Sequence, residues 1–599
     1  MKKQLLSGNE AIARGAFEAG ITFASGYPGT PSTEIMETFA KYKGVYAEWA
    51  PNEKVGLETA IGAALVNIDA MAVMKHVGVN VAADPLFTVS YTGIEGALVI
   101  ITADDPSLHS SQNEQDNRNY AKFAKIPMLE PANSQEAKDF VKLAVAISRQ
   151  FDTPVFLRTT TRLSHSKAPV LIEERISEEA KREVRQAAIT FDTAKYVMVP
   201  ANARVRRGEV EKRSALLREF AETFPENIME INDTKVGIIT AGVPYEYAKA
   251  AFPDYSYLKL GMVYPLPEKL IREFAQRVEK LYIVEELDPF LEEQIKAWGI
   301  TVIGKEVFPA RGEFDPGIIV KGIAGSSEAA SVLPTIPARP PNMCPGCPHR
   351  GLFYALKKSG KVFVNGDIGC YTLSFLKPLE GLHSCICMGA SVSMAHGMSK
   401  ALGAAGKGKV VAVIGDSTFL HSGITPLLNM VYNKSNVLVI ICDNRTTAMT
   451  GMQEHPATGF TLQGEKTRAV DFVALAKALG VDNVSIVDPY NLEETQAAIK
   501  AGLASDSVSL IVSHRACVLF KRAGETAKPA LQVDGDKCTG CRVCLSLGCP
   551  ALAWRDFAGM PAEEIKRNTK KQEGRVFIET SLCNGCSICQ QICKFAAIG

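Results

Sequence analysis

The chain has 599 residues, room for about three to five domains with cores of their own. Lys plus Arg total 66 against 65 Asp plus Glu, a net charge of +1 that argues against the basic footprint of a nucleic-acid binder. No apolar run approaches the ~18–20 residues of a membrane span, and the start is broken at Ser7, Gly8, Asn9 and Glu10, unlike a secretory signal, so a cytoplasmic location is expected.

In chain order, the first block alternates helix-like segments with short apolar runs, DAMAVMKHVG (69–78) and GALVIITADD (96–105). That alternation predicts a parallel sheet with helices on both faces. A basic stretch (200–213) reads as a long helix or crossing linker. The second block contains the strand-like runs KVGIITAG and KLYIVEE and ends at the proline-rich PTIPARPP (334–341), a semi-rigid linker by composition. The third has three strands, KVFVNGDIG, KVVAVIGDS and NVLVIICDN, each stopping at Gly, Asp or Asn. Ligands of open α/β sheets sit at such strand ends. A second linker, AGETAKPAL (523–531), leads to the tail. The expected class is α/β with several domains, spanning 1–195, 235–333, 342–525 and 532–599.

Fifteen cysteines are present, none before Cys344, and eight lie in the last 62 residues. Clustering of this kind points to metal and not to a disulfide framework. CTGCRVCLSLGCP supplies Cys538, Cys541, Cys544 and Cys549, and CNGCSICQQICK supplies Cys583, Cys586, Cys589 and Cys593. Each triplet can wrap one corner of a 4Fe–4S cubane, and in two-cluster ferredoxins the fourth cysteine of each run ligates the other cluster. Zinc ribbons use two CxxC pairs instead of a repeated triplet. Two departures are visible: four residues precede Cys549 where three are usual, and Lys594 replaces the proline after the second run. The tail resembles a bacterial-type ferredoxin domain whose work is electron transfer.

Gly415, Asp416 and Ser417 end the strand VVAVI, and Asp443 and Asn444 end the strand NVLVIIC. A glycine allows close approach of a phosphate, and oxygen ligands on neighbouring strand ends suit Mg²⁺. The 29-residue separation of Gly415 and Asn444 fits one crossover connection. This resembles the thiamine-diphosphate signature, which implies Mg²⁺ on Asp416, Asn444 and the Thr446 carbonyl. Arg445 stands where the family commonly has a second asparagine, so no role is carried onto it.

In WAPNEKVGLETAIGAAL (49–65), Glu48, Glu53 and Glu58 are all carboxylates near a helix start. Resemblance to the pyrimidine domain of 2-oxoacid:ferredoxin oxidoreductases selects Glu53 as the acid that hydrogen-bonds the aminopyrimidine. SGYPGTPSTE resembles that family's substrate turn, which implies that Thr30 touches the 2-oxoacid. Arg118 and Lys122 are alternative carboxylate binders. Cys344, Gly346 and Cys347 of MCPGCPHR resemble the family's cofactor-contacting loop. That loop, with Cys370, Cys385, Cys387 and His349, leaves open a zinc site or a third cluster; contact with the cofactor without metal is the favoured expectation.

The order of blocks resembles the alpha subunits of the indolepyruvate ferredoxin oxidoreductase family. Membership implies thiamine diphosphate, Mg²⁺ and two 4Fe–4S clusters. It also implies a smaller beta subunit, ferredoxin, coenzyme A and an aryl 2-oxoacid, in a heterodimer or a dimer of heterodimers. A non-oxidative decarboxylase would need no clusters, and an electron-transfer scaffold would need only the tail. An oxidoreductase for pyruvate or 2-oxoglutarate is the remaining alternative.

Overall fold

The computed structural model describes residues 2–176, 190–325, 341–520, 528–560, 565 and 572–599. Most of the two linker segments (334–340 and 523–527) therefore lies outside the described residues. The chain divides into two compact units, Met1–Thr335 with Leu462–Gly464, and Ile336–Thr461 with Glu465–Gly599.

The first unit is built on a seven-stranded sheet. Its order is Met262–Tyr264, Met128–Leu129, Val155–Thr160, Leu98–Asp104, Ala70–Lys75, Phe23–Gly26 and Tyr46–Trp49. All pairs are parallel except the first. Every residue of Leu98–Asp104 is buried, as expected for a strand with helices on both faces. Because the strands are parallel, Gly26, Trp49, Lys75, Asp104 and Thr160 finish along one edge of the sheet. A second sheet of four strands orders Lys280–Val284, Asp233–Ala241, Tyr255–Leu260 and Ile228–Glu230. The short strand Met262–Tyr264, which sequence reading assigned to the intermediate domain, joins the edge of the first sheet instead.

The second unit holds a six-stranded parallel sheet. Its order is Ser384–Cys385, Phe363–Gly366, Val410–Gly415, Leu438–Asp443, Ser509–His514 and Asn483–Val487. Gly415 pairs with Cys442, so Asp416 and Asp443 leave adjacent strand ends together. The tail adds the antiparallel pair Leu552–Asp556 and Gly574–Ile578 and the helix Ile588–Ile592. Its Leu547, Ile588, Ile592 and Ile598 share one apolar core with Leu352, Val411 and Ile440.

Candidate cofactor and electron-transfer sites

In the first unit, the Asn52 side chain accepts the Val55 N–H and caps the helix Glu53–Leu65. Glu53 is its first residue, is buried, and sits where the helix N-terminus favours a carboxylate. A Cβ on Gly78 would lie 2.7 Å from both Cγ and Oε1 of Glu53, so the absent side chain at 78 makes the carboxylate's pocket. The neighbouring acids are disposed differently. Glu48 accepts from the Ser25 hydroxyl at 3.0 Å and from the Tyr46 phenol at 2.7 Å, while Glu58 is exposed and pairs with Lys54.

Thr30 lies in the turn after Phe23–Gly26 and lines a cleft of about 390 Å³ with His109, Ser110, Thr161, Arg162, His165 and Glu313. The Ser110 hydroxyl donates to the Thr30 carbonyl at 3.2 Å, fixing the turn against the loop that follows Leu98–Asp104.

The two cations expected to bind a substrate carboxylate are placed differently. Arg118 is 2% exposed, and its guanidinium donates to Asp116 Oδ1 at 2.9 Å and to Glu285 Oε2 at 2.7 Å. Releasing it would take the nearest cation from two buried carboxylates, which is costly. It is a cation of the packed interior. Lys122 is exposed, its Nζ lying 5.9 Å from the centroid of the Phe290 ring.

In the second unit, Asp416 organises the diphosphate-type half-site. Its Oδ1 accepts the Ser417 N–H at 2.8 Å, and its Oδ2 accepts the N–H groups of Asn444 at 3.2 Å and Arg445 at 2.9 Å. The Asn444 Oδ1 accepts the Thr446 N–H at 3.3 Å. Asp416, Ser417, Asn444 and Thr446 are all buried, which places one carboxylate, one amide oxygen and one carbonyl on neighbouring strand ends. That donor set fits Mg²⁺ with a substrate or cofactor phosphate. Gly415 has a second reason to be glycine: a Cβ there would lie 2.9 Å from Cε1 of Tyr371. His455 was not found from sequence; its Nε2 lies 3.2 Å from Asp416 Oδ2 without hydrogen-bond geometry.

The tail thiols fall into two groups, linked through Cys544 and Cys589. Burial pushes the Cys544 thiol up to about 11, and the neighbouring thiols that add to this are Cys541, Cys593 and Cys538. Burial likewise pushes Cys589 up to about 12, and the thiols that add to this are Cys586, Cys549, Cys583 and, least, Cys544. Cys549, Cys583, Cys586 and Cys589 also line one cavity, closed by Leu531, Leu547 and Ile578. Among the described residues, no three His, Cys, Asp or Glu side chains converge on a single-ion site. Thiolates on a cubane bind four different irons, so they stand further apart than ligands of one ion.

The CPGC loop joins these elements. Gly346 has φ +68° and lines the same cavity, and a Cβ there would lie 2.1 Å from the Asn584 side chain. The Tyr490 hydroxyl donates to its carbonyl. Burial pushes Cys347 up to about 12 and Cys370 up to about 11, with Cys344 near both and Cys517 near Cys370. Cys517 is thus part of a third thiol group that sequence reading missed, because it stands alone in the chain. Burial lowers His349 to about 4, so it is neutral here.

Two families match the chain. One, described as "Pyruvate flavodoxin/ferredoxin oxidoreductase, thiamine diP-bdg", covers residues 14–222. The other, "Thiamine pyrophosphate enzyme, C-terminal TPP binding domain", covers residues 367–513. Indolepyruvate oxidoreductase subunit IorA of Pyrococcus horikoshii is 42% identical over 100% of this chain and 96% of its own. The IorA subunit of Archaeoglobus fulgidus is 40% identical over 100% and 97%. The 2-oxoglutarate synthase subunit KorA of Methanocaldococcus jannaschii is 24% identical over 46% of this chain and 87% of its own. The chain belongs to the IorA family of indolepyruvate oxidoreductase subunits, thiamine-diphosphate-dependent 2-oxoacid:ferredoxin oxidoreductases.

Proposed function

We propose that the chain is the alpha subunit of an enzyme that oxidatively decarboxylates aryl 2-oxoacids of the indolepyruvate and phenylpyruvate class. One 2-oxoacid anion and coenzyme A give an aryl-acetyl-CoA, CO₂ and one proton, and two electrons pass singly through two 4Fe–4S clusters to ferredoxin. When bound, thiamine diphosphate supplies the electron sink for the carbanion and the clusters supply one-electron steps. The chain's own groups do the placement. Glu53 holds and moves a proton at its carboxylate, and Thr30 meets the substrate. Asp416, Asn444 and the Thr446 carbonyl hold Mg²⁺, with Gly415 and Ser417 at the diphosphate. Cys344, Gly346 and Cys347 border the cofactor.

One observation carries the oxidative reading over simple decarboxylation. The cysteine-rich tail packs on the sheet that carries Asp416: Leu547, Ile588 and Ile598 share one apolar core with Val411 and Ile440, and Gly346 of the CPGC loop abuts Asn584 in the second cysteine run. A decarboxylase would have no use for a cysteine-rich module packed on its diphosphate-binding sheet. The relatives' description as a subunit supports a smaller beta partner in a heterodimer or dimer of heterodimers. No described helix is long and apolar enough to cross a membrane, in keeping with the proposed cytoplasmic location.

The deciding experiment offers the assembled enzyme a panel of 2-oxoacids under anaerobic conditions and follows reduction of a low-potential dye, with and without coenzyme A. Aryl 2-oxoacids should reduce the dye and yield thioester only when coenzyme A is present. Preference for pyruvate or 2-oxoglutarate would refute the aryl assignment, and CO₂ release without dye reduction would refute the oxidative one.

The cluster wiring has its own test. The thiol groupings support cluster one on Cys538, Cys541, Cys544 and Cys593, and cluster two on Cys583, Cys586, Cys589 and Cys549. Cys593→Ser should therefore alter the electron paramagnetic resonance signal of the cluster held by the first triplet. A change confined to the second triplet's cluster would show that each run is self-contained.

A further inference from the structure

Lys75 closes the strand Ala70–Lys75, whose other five residues are buried, and its own side chain is half-buried. The stem lies on the substrate turn: a Cβ on Gly29 would stand 3.2 Å from the Lys75 Cβ. Its Nζ donates to the Ser110 carbonyl at 3.0 Å. Among the described residues this is its one hydrogen bond, and it has no ion pair, so two of its three N–H donors are open. Ser110 in turn holds the Thr30 carbonyl, and both residues line the 390 Å³ cleft.

Two carboxylates act on the ammonium without pairing with it: Asp105, from the loop after Leu98–Asp104, and Glu53, from the helix Glu53–Leu65. Asp105 is occupied by the Ser110 N–H and the hydroxyls of Ser111 and Thr161. The Thr30 turn contributes no charge, and the adjoining cleft carries His109, His165 and the paired Arg162 and Glu313. Burial outweighs both carboxylates and brings Lys75 down to about 8. A partly desolvated ammonium with open donors thus stands against Gly29 and Ser110 and within the field of Glu53, while Arg118 is held by Asp116 and Glu285.

We propose that Lys75 is the cation that receives the carboxylate of the 2-oxoacid, with Thr30 and Ser110 as the adjoining wall of the substrate site. This rests on the 2-oxoacid reading above. A charge-assisted N–H···O bond away from bulk water is stronger than an exposed pair. Lys75 loses its proton as pH rises through about 8, so carboxylate affinity should fall above that pH.

The test uses the enzyme purified with its partner subunit and two readouts. Calorimetry measures binding of phenyllactate, which carries the carboxylate but has no keto group to react. Steady-state kinetics with phenylpyruvate separate KM from kcat. Lys75→Met should weaken phenyllactate binding and raise KM by roughly tenfold or more. Its thiamine content should stay at the wild-type level, with kcat changing far less than KM. Lys75→Arg should restore most of the affinity and abolish its decline above pH 8, because a guanidinium stays charged. Unchanged phenyllactate binding in Lys75→Met, a wild-type alkaline decline retained in Lys75→Arg, or a fall in kcat with KM unaltered would each overturn the proposal. Failure of the wild type to turn over any 2-oxoacid would instead refute the functional reading, and the phenyllactate measurement would still decide the role of Lys75.

Discussion

Glu53→Gln is expected to keep thiamine diphosphate and both clusters, yet to exchange the cofactor's C2 proton about 10²–10⁴-fold more slowly than the wild type. The substitution is nearly isosteric, so the pocket made by Gly78 and the cap made by Asn52 should survive it. What it removes is the capacity to take and return a proton. Glu53 is the member of the three acids that is both buried and placed at a helix start. Glu48 already receives two hydroxyl donors, and Glu58 faces solvent. Exchange of the C2 proton into deuterated solvent, quenched and read by NMR, measures the step directly, and thiamine content is assayed alongside. Wild-type exchange in Glu53→Gln, with Glu48→Gln defective, would transfer the role to Glu48.

The features legible in the sequence were those in which local chemistry and tertiary placement agree. Apolar runs ending in Gly, Asp or Asn became parallel strands, because burial on both faces demands continuous apolar residues. The cysteine triplets stand out in the sequence for a similar reason: their spacing is local. What sequence could not give were pairings made at long range. Arg118 reads as a candidate carboxylate binder because Glu285, 167 residues away, is invisible from its neighbourhood. Lys75 carries no signal in the sequence, and only the approach of the Ser110 loop and the Gly29 turn gives it surroundings. Cys517 and His455 stand alone in sequence, and each finds its neighbours through the sheet. The strand Met262–Tyr264 pairs with Met128–Leu129, so the edge of the first sheet is completed by a segment about 130 residues later in the chain than its partner strand.

Asp416→Ala should cause the broadest loss of cofactor binding of any single change in the second unit. Its carboxylate is the one anionic member of the proposed Mg²⁺ set, and it also ties the Asn444–Arg445 turn to the end of the strand Val410–Gly415. Alanine removes the charge and leaves the buried N–H groups of Asn444 and Arg445 without that acceptor, a penalty beyond the lost metal bond. Asp416→Asn separates the two effects, since its amide oxygen can still accept an N–H while the charge is gone. Apparent affinity for Mg²⁺–thiamine diphosphate should fall by roughly 10–100-fold in the asparagine variant and further in the alanine variant. Thiamine and magnesium content after gel filtration, and the shift in Tm on adding both, are the measurements. Cofactor binding stabilises the folded state by mass action, so both variants should show a smaller shift than the wild type. The iron content of the tail should stay unchanged, because its cysteines take no part in the carboxylate's contacts. If both variants retain wild-type thiamine and magnesium, the metal ligands lie elsewhere, and the buried Asp443, whose Oδ2 lies 2.7 Å from His514 Nδ1, becomes the carboxylate to test in its place.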